Sequence, residues 1–447
     1  MTESMPPDTA AAAATAPIAD PANMITAADA ATTRPVATGS HNVALGRLLT
    51  MVFPATTAMY ALFNGVSSVV LPAQVEAMDP ASKVGNLALV TTIAAIASMI
   101  AIPTGGSVSD RTRSRFGRRA PWIALSAIVS GVLAGCMGLA SNLVGLLVAA
   151  FALWFALNFY QGAITAMLPD RVPVERRGLA SAVIGLGTPV GIVVGVNLAS
   201  RVSQFAAYAV FGVAVVATTT VFLLGAREPS SLEMASVSKQ RRSLSEALRY
   251  FLAAFGHRDF RLAFFSRFGL FAAYFTVNGY LYYILQDYIG TANIPGGDAA
   301  AAVSTLLTVT IIAWIVVASI VGSLADRFDR RKLFVGISAL GLAASMTIPV
   351  ISPTWTGMLI FSGSIGAAIG TYVAIDLAVM SLVLPHADSA GRDLGILQVA
   401  TGLPQLLSAA VASAIITWLG GYVTLYAFGA VCAVVSGILM LRIRSVR

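Results

Sequence analysis

Long apolar stretches separated by short polar segments run along most of the chain. Roughly twelve of them reach the length of about 20 residues that an α-helix needs to cross a lipid bilayer. The predicted spans are 47–71, 84–104, 121–140, 143–168, 179–200, 204–225, 263–289, 300–324, 333–351, 355–384, 395–419 and 421–441. Because a helix satisfies its own backbone hydrogen bonds in lipid, the pattern predicts an all-α membrane protein.

Composition agrees with that prediction. Of the 447 residues, 57% are hydrophobic and 11% are charged, and the mean hydropathy is +0.81. A soluble protein of this size needs more charge than that. The net charge of +8 raises the possibility of a nucleic-acid binder, but the basic residues lie in short loops between apolar spans. The expected surrounding is therefore a lipid bilayer, and no nucleic-acid partner is expected.

The basic residues predict how the chain is oriented. Arginine and lysine concentrate in the segments 105–120, 169–178, 226–262 and 325–332, which an even-numbered topology places on one side. The opposite loops hold only Lys83 and Arg201. Positively charged loops stay in the cytoplasm, so both termini are expected to be cytoplasmic in a multi-pass protein of the inner (plasma) membrane.

Changes in composition along the chain predict four parts. Residues 1–44 are rich in Ala, Thr, Pro and Asp and are expected to form a disordered cytoplasmic tail. Residues 45–226 and 263–442 each hold about six spans, and residues 227–262 form a polar, basic cytoplasmic linker between them. Within the linker, residues 243–255 have helical spacing, which suits either a helix on the membrane surface or a plain connector.

An internal repeat relates the two sets of spans. The sequence Gly-Ser-Val-Ser-Asp-Arg at 106–111 returns 216 residues later as Gly-Ser-Leu-Ala-Asp-Arg at 322–327. Leu-Pro at 168–169 returns after the same interval, and Gly-Thr-Pro at 187–189 returns as Gly-Leu-Pro at 402–404. Two parallel repeats about an axis along the membrane normal are a recurrent plan of transporters, with the solute site between them near mid-membrane.

The repeated segments also carry a family resemblance. GGSVSDRTRSRFGRR and VGSLADRFDRR both resemble the loop signature of the major facilitator superfamily, G-x-x-x-D-R/K followed by a basic pair. The longer first copy, with SDRTRSRFGRRAPW, looks like that of sugar–cation symporters of the glycoside–pentoside–hexuronide and sucrose types. The resemblance covers about 45–442. It implies two pseudo-symmetric six-helix bundles, transport by alternating access and a monomer.

The resemblance assigns a gating role to this loop. It implies that Asp110 and Asp326 help to latch the two halves in one state. The arginines with them are candidate gating residues as well: Arg111, Arg118, Arg119 and Arg327. The alternative is that these arginines only anchor the topology.

The resemblance also implies that helices 1, 4, 7 and 10 line a central cavity. Each carries polar and aromatic residues on one helical face, because residues four apart share a face. The candidates for solute binding are Tyr60, Asn64, Trp154, Asn158, Gln161, Tyr274, Asn278, Tyr282 and Tyr372. Amide groups could bond solute hydroxyls there, and rings could pack on the solute. The alternative is hydrogen bonding between helices, which Asn and Gln side chains commonly make in membranes.

Asp376 is the candidate for coupling. A carboxylate in an apolar span costs a few kcal/mol unless it is paired, hydrated or protonated. Burial disfavours its charged form, so the group could take up and release a proton. The alternative is a permanent pairing, for which Arg267 in helix 7 is a conceivable partner. Melibiose-type symporters place sodium-binding carboxylates in the first bundle, whereas spans 2 and 4 here hold none, so the proton is the ion expected.

Glu76 and Asp287, near the outer ends of helices 1 and 7, are expected to be solvated ends or parts of an outer gate.

Three functions compete. The first is a proton-coupled symporter of a small organic solute, a sugar or a glycoside. The second is a drug or metabolite exporter, a proton antiporter, but helix 5 has Thr188 before Pro189 where exporters have Gly-Pro, and the glycines at 187, 191 and 195 are typical of a packing surface. The third is a membrane-embedded enzyme, which is not expected, because all three histidines lie in the tail or loops. The sequence predicts no cofactor and no metal site.

Overall fold

The structure is a computed structural model that describes residues 38–173, 176–232, 255–328, 331–383 and 390–443. It holds two compact units, Met1–Gly46 and Arg47–Arg447. In the first unit the described residues form the beginning of a helix. Apart from the beginning of that helix, all features below belong to the second unit. The predicted tail up to residue 37 and nearly all of the predicted linker helix at 243–255 lie outside the described residues.

Twelve helices in the described ranges are long and apolar enough to cross a membrane. Those of the first half are α1 (Thr38–Gly65, continued by Val66–Val70 and Leu71–Met78), α2 (Lys83–Arg111), α3 (Ala120–Gly138), α4 (Leu143–Arg171), α5 (Arg177–Ala199) and α6 (Gln204–Gly225). Those of the second half are α7 (Arg258–Asn278), α8 (Ala299–Phe328), α9 (Arg331–Ile351), α10 (Trp355–Leu382), α11 (Ala390–Trp418) and α12 (Gly421–Leu441). The prediction of an all-α membrane protein with about twelve spans is confirmed.

The first helix of each half is irregular near the same end. In α1, a π-helical turn at Val66–Val70 interrupts the α-helix. In the second half the predicted continuous span 263–289 is divided: α7 ends at Asn278, a short helical turn follows, and Ile284–Gly290 is π-helical. Each π-helical turn accommodates an extra residue in the helix, and such turns are common at functional sites.

Helix packing repeats between the halves. In the first half, α2 packs on α4, and α3 packs on both α4 and α6. The second half repeats this pattern with α8 on α10, and with α9 on both α10 and α12. The halves meet where α2 packs on α11 and where α5 packs on α8. The packing thus follows the sequence repeat and gives the two pseudo-symmetric bundles.

Small residues on α5 bring it against α1. A Cβ at Gly195 would lie 2.3 Å from the carbonyl oxygen of Ala61, and one at Gly191 would lie 2.7 Å from that of Thr57. A Cβ at Gly187 would lie 2.5 Å from a side-chain oxygen of α1. The interpretation of these glycines as a packing surface is therefore confirmed, since backbones can approach this closely only where no side chain intervenes.

Loops connect the helices at two opposite ends of the bundle. We call the arginine end the one at which α2 ends at Arg111 and α4 ends at Arg171. The far end carries the loops 79–82, 139–142 and 200–203 and the segment 279–298.

Candidate functional site

A buried ion pair joins α7 and α10 on the arginine side of mid-helix. Arg267 Nη1 donates to Asp376 Oδ2, and the two side chains are only 7% and 15% exposed. Asp376 therefore has the partner that the sequence offered as the alternative to an unpaired carboxylate. A neutralised pair can be tolerated among apolar helices, whereas either charge alone is costly there.

Arg267 is held by other groups as well. Its Nε donates to Thr401 Oγ1 at 2.7 Å, and its Nη2 donates to Gln398 Oε1 at 3.1 Å, both on α11. Its Nη1 also lies 2.8 Å from the sulfur of Met380, and the guanidinium lies over the ring of Phe271 at 5.5 Å. The guanidinium thus connects three helices, so its position does not depend on Asp376 alone.

A small cavity adjoins the pair inside the second half. Its volume of about 20 Å³ is room for about one water molecule and for no organic solute. It is lined by Ala263, Ser266, Arg267, Val335, Tyr372, Asp376, Val379, Met380, Leu397 and Met440. Tyr372, four residues before Asp376 on α10, lines the same cavity.

A polar stripe on α11 was missed by the sequence analysis. Gln398 and Gln405 are exposed, and a Cβ at Gly402 between them would meet no atom within 4 Å. These residues are spaced by four and three, so they share one helical face. Amides within a spanning helix are costly against lipid, which favours a polar or hydrated surrounding. The spacing was a usable signal, but the family resemblance implied a cavity lined by helices 1, 4, 7 and 10 and not by α11.

The candidates of the first half are divided between partly exposed and buried positions. Gln161 Nε2 donates to the hydroxyl of Tyr60 at 3.1 Å, which links α4 to α1, and both residues are partly exposed. The amide of Asn64 donates to the carbonyl of Tyr60 at 3.0 Å. Asn158 is buried and donates to Ser98 Oγ on α2 at 2.8 Å. Asn158 therefore fits the alternative of hydrogen bonding between helices.

Aromatic candidates are divided in the same way. Trp154 is buried and packs on Phe63 with ring centroids 5.7 Å apart. Tyr372 is buried and meets the ring of Phe271 edge-to-face at 5.7 Å. Tyr282 is buried and packs on Tyr283. These rings contribute to packing in this conformation.

Tyr274 and Asn278 on α7 are partly exposed, four residues apart on one face. Together with the partly exposed side chains of the first half, they form what we call the accessible polar set. Its members are Tyr60, Asn64, Gln161, Tyr274 and Asn278.

The signature loop at the arginine end is bonded within its own half. Arg119 is 3% exposed and donates to Asp110 Oδ1 at 2.9 Å. The backbone N–H groups of Arg119 and Ala120, where α3 begins, donate to Glu228 Oε2 at 2.9 Å each. A carboxylate at a helix N-terminus is favoured by the helix dipole. Glu228, which lies in the predicted linker 227–262, thus caps the beginning of α3.

Gly117 explains the shape of this loop. Its φ of 96° is in the left-handed region, which favours glycine. A Cβ there would lie 2.4 Å from the carboxylate of Glu228. The chain after α6 is held further by hydrogen bonds from Arg171 to the carbonyls of Ala226 and Arg227, at 2.7 and 3.0 Å.

The remaining gating candidates contribute less to the described contacts. Arg111 and Arg327 are exposed, and Arg118 is partly exposed. Asp326 lies within α8, but its side chain is outside the described part of the chain.

At the far end, Lys83 links the two halves. It donates to Glu76 of α1 at 2.9 Å and to Asp287, after α7, at 2.8 Å, and it lies over the ring of Tyr283 at 4.9 Å. Tyr422 also donates to Asp287 at 2.7 Å. Lys83, one of the two basic residues in the loops of this side, thus connects the two acids that were expected to be solvated ends or parts of an outer gate.

Uncharged contacts reinforce the same end. The hydroxyl of Tyr283 donates to the carbonyl of Pro72 at 3.0 Å, and Tyr280 donates to that of Val84 at 3.1 Å. Asn197 donates to Thr308 at 2.8 Å. Between residues that the structure describes, the hydrogen bonds that join the halves all lie toward this end. This conformation is thus closed at the far end.

The match to a family model decides the family. The model of the Major Facilitator Superfamily matches residues 53–297 and 263–447. This chain belongs to the major facilitator superfamily. The resemblance of the two signature loops is thereby confirmed, and the superfamily membership makes the chain a multi-pass membrane transporter rather than an enzyme.

Solved structures of this superfamily fold are similar over most of the chain. One is the crystal structure of a D-xylose-proton symporter, with a TM-score of 0.66 and 14% identity, covering 89% of this chain and 98% of that chain. Another is a mutant of the nucleoside transporter NupG, with a TM-score of 0.70 and 14% identity, covering 89% and 99%. At this identity the likeness concerns the fold. A comparison with curated protein sequences gives no match.

Proposed function

We propose that this chain is a proton-coupled symporter of a small polar organic solute, a sugar or a glycoside being the class that the first signature loop favours. The observation that carries the proposal is the buried pair of Arg267 and Asp376, which joins α7 to α10. An ion pair in an apolar bundle rarely adds stability over apolar packing. Proton exchange by the carboxyl group would explain why the protein retains such an ion pair.

The pair offers a simple coupling step. Protonation of Asp376 removes its charge and weakens its bond to Arg267. The guanidinium stays bonded to Gln398 and Thr401 on α11, so α10 is released from α7 while α7 and α11 remain joined. Loss of the proton restores the ion pair. A proton therefore changes which helices of the second half are held together.

The accessible polar set supplies groups for the solute. Hydroxyl groups need donors and acceptors at fixed positions, and the hydrogen-bonded pair of Tyr60 and Gln161 offers both. Tyr274 and Asn278 offer the same chemistry on α7. The buried candidates Trp154, Asn158, Tyr282 and Tyr372 contribute less to this proposed site, because their side chains already have packing or hydrogen-bond partners.

Orientation and gating complete the proposal. The arginine end is the cytoplasmic end, in the inner membrane, and the chain works as a monomer. The far end, closed by Lys83, then faces outward, and solute release toward the inside is the step we assign to this conformation. The closing partner at the arginine end is the signature loop, with Asp110 and Asp326 as latch residues.

The test is uptake by proteoliposomes under an inward proton gradient, with a panel of labelled sugars and glycosides. Asp376→Asn should abolish gradient-driven accumulation but retain exchange of solute for solute, since only the proton site is lost. Asp376→Glu should keep part of the accumulation, because it keeps the carboxyl group. The matched control is Asp298→Asn, an exposed carboxylate at the start of α8, where Asn caps a helix equally well.

Two results would contradict the proposal. Full accumulation by Asp376→Asn would remove the coupling role of Asp376 and leave symport intact. Solute uptake that ignores the proton gradient altogether would remove proton symport.

A further inference from the structure

The partners of Arg267 differ in charge and in exposure. On one side its Nη1 meets the carboxylate of Asp376, in the interior of the second half. On the other side its Nη2 meets Gln398, which is neutral and exposed. A charge-assisted hydrogen bond is about twice as strong as one to a neutral group. An anion arriving at Gln398 could therefore take over the bond to Nη2.

Arg267 is buried, but the partner of this atom lies on an exposed polar face. Gln398 begins the stripe that continues through Gly402 to Gln405, and no atom crowds Gly402. The guanidinium itself is held by Thr401 at 2.7 Å. Arg267 is thus a preorganised cation at the edge of an open polar face, and a planar guanidinium matches the geometry of a carboxylate.

From this arrangement we infer that Arg267 recognises a carboxylate of the solute, so the carrier takes organic anions in preference to their uncharged analogues. The inference rests on the proposed proton symport and narrows its solute class. The solute carboxylate binds Nη2 in place of the amide oxygen of Gln398, beside the carboxylate of Asp376.

Charge balance then links solute and proton. The empty site is neutral, with one guanidinium and one carboxylate. A second carboxylate gives it a net charge of −1, and like charges at short range favour protonation of one of them. Uptake of one proton by Asp376 restores neutrality, so one monoanion travels with one proton. An uncharged solute provides no such drive.

Among the described residues, few charged or titratable groups face Asp376. Arg267 from α7 and Tyr372 from its own helix face it. The neighbouring helices α9, α11 and α12 present Val335, Leu397 and Met440 around the same cavity. In the described part of the chain, Arg267 is therefore the charge that sets the affinity of Asp376 for a proton.

The test uses full-length protein in proteoliposomes with an inward proton gradient and three matched pairs of labelled probes: gluconate and glucitol, xylonate and xylitol, galactonate and galactitol. In each pair a carboxylate replaces a hydroxymethyl group. At least one acid should accumulate about tenfold above its polyol, the effect of about 1.4 kcal/mol. Clamping the membrane potential at zero or at an inside-negative value should not change its uptake, because one proton and one monoanion carry no net charge.

Two variants test the site without removing the ion pair. Gln398→Glu places a fixed carboxylate on Nη2 and should lower uptake of the acid about tenfold or more. Asn142→Asp is the control: it makes the same amide-to-carboxylate change at an exposed helix cap at the far end, where Asp caps equally well, and should leave uptake within about twofold. Both positions are exposed, so neither variant should impair folding.

Three results would overturn the inference. Polyols could accumulate as well as acids, or the acid uptake could survive Gln398→Glu. Alternatively, only neutral sugars could accumulate with the proton gradient, and their uptake could respond to the membrane potential. That result would support proton symport but rule out the anion site. If no solute follows the proton gradient, proton symport itself falls, and the anion site falls with it.

Discussion

The two halves share a packing plan but differ in charge at the same depth. Asp376 and Arg267 of the second half correspond, at the repeat distance of 216, to Tyr160 and Met51 of the first. Tyr160 is fully buried and its hydroxyl lies 3.0 Å from Thr219 Oγ1, so the first half has a neutral hydrogen bond there. The comparison teaches that the two halves retain the same helix packing, whereas their buried polar side chains differ.

The largest expected effect is on stability when one charge of the pair is removed. Arg267→Gln leaves Asp376 buried without its cation and should lower the free energy of unfolding by about 3–5 kcal/mol. The double variant Arg267→Gln with Asp376→Asn should regain most of that loss, because no uncompensated charge remains. In the first half, Tyr160→Phe should cost only about 1 kcal/mol. Thermal unfolding of the purified proteins measures all three.

Equal stability of the single and double variants would show that an unpaired Asp376 carboxylate costs no measurable free energy of unfolding.

The second effect concerns glycines in corresponding helices. Gly191→Ala on α5 places a Cβ 2.6 Å from that of Tyr60 and 2.7 Å from a carbonyl oxygen, and should destabilise the protein by about 1–3 kcal/mol. Gly402→Ala on α11 meets no atom within 4 Å and should leave stability unchanged or slightly higher, since Ala is the better helix former. Unfolding measurements that rank these variants in reverse order would contradict the difference in packing.

The smallest effect concerns the closure of the far end. Lys83→Met removes the bridge to Asp287 that joins the halves. Such a partly exposed bridge is worth up to about 1 kcal/mol, so closed molecules should become up to about fivefold less favoured. The measurement is labelling of a cysteine at position 64 from the far-end side, in a chain whose Cys136 and Cys432 are replaced.

The matched control is Lys83→Arg, which keeps the charge. Labelling that is equally fast in both variants would mean that the uncharged contacts of Tyr280 and Tyr283 suffice for closure.

Much of the fold followed from the sequence, because a spanning helix requires a length and a hydrophobicity that are visible locally. The conceivable partner of Asp376 was also correctly identified, since buried charges in membranes pair. Helix spacing is less informative about neighbours. It placed Asn158 on a polar face, but only the structure shows Ser98 on α2 beside it.

Other features depend on contacts distant in sequence. Glu228 follows α6 yet caps the beginning of α3, and Lys83 meets Asp287 across about 200 residues. No local pattern carries such information. The stripe on α11 is different, because the spacing of Gln398 and Gln405 is visible in the sequence. It was missed because the family resemblance implied a cavity lined by helices 1, 4, 7 and 10.

The bridges of Lys83 have a consequence for the medium outside the protein. Its partners Glu76 and Asp287 are 25% and 35% exposed, so dissolved ions reach them and weaken the attraction. The Debye length falls from about 30 Å at 0.01 M to about 3 Å at 1 M ionic strength. The resting balance between closed and open far ends therefore shifts toward open as the salinity of the surrounding solution rises, even when neither solute nor proton concentration changes.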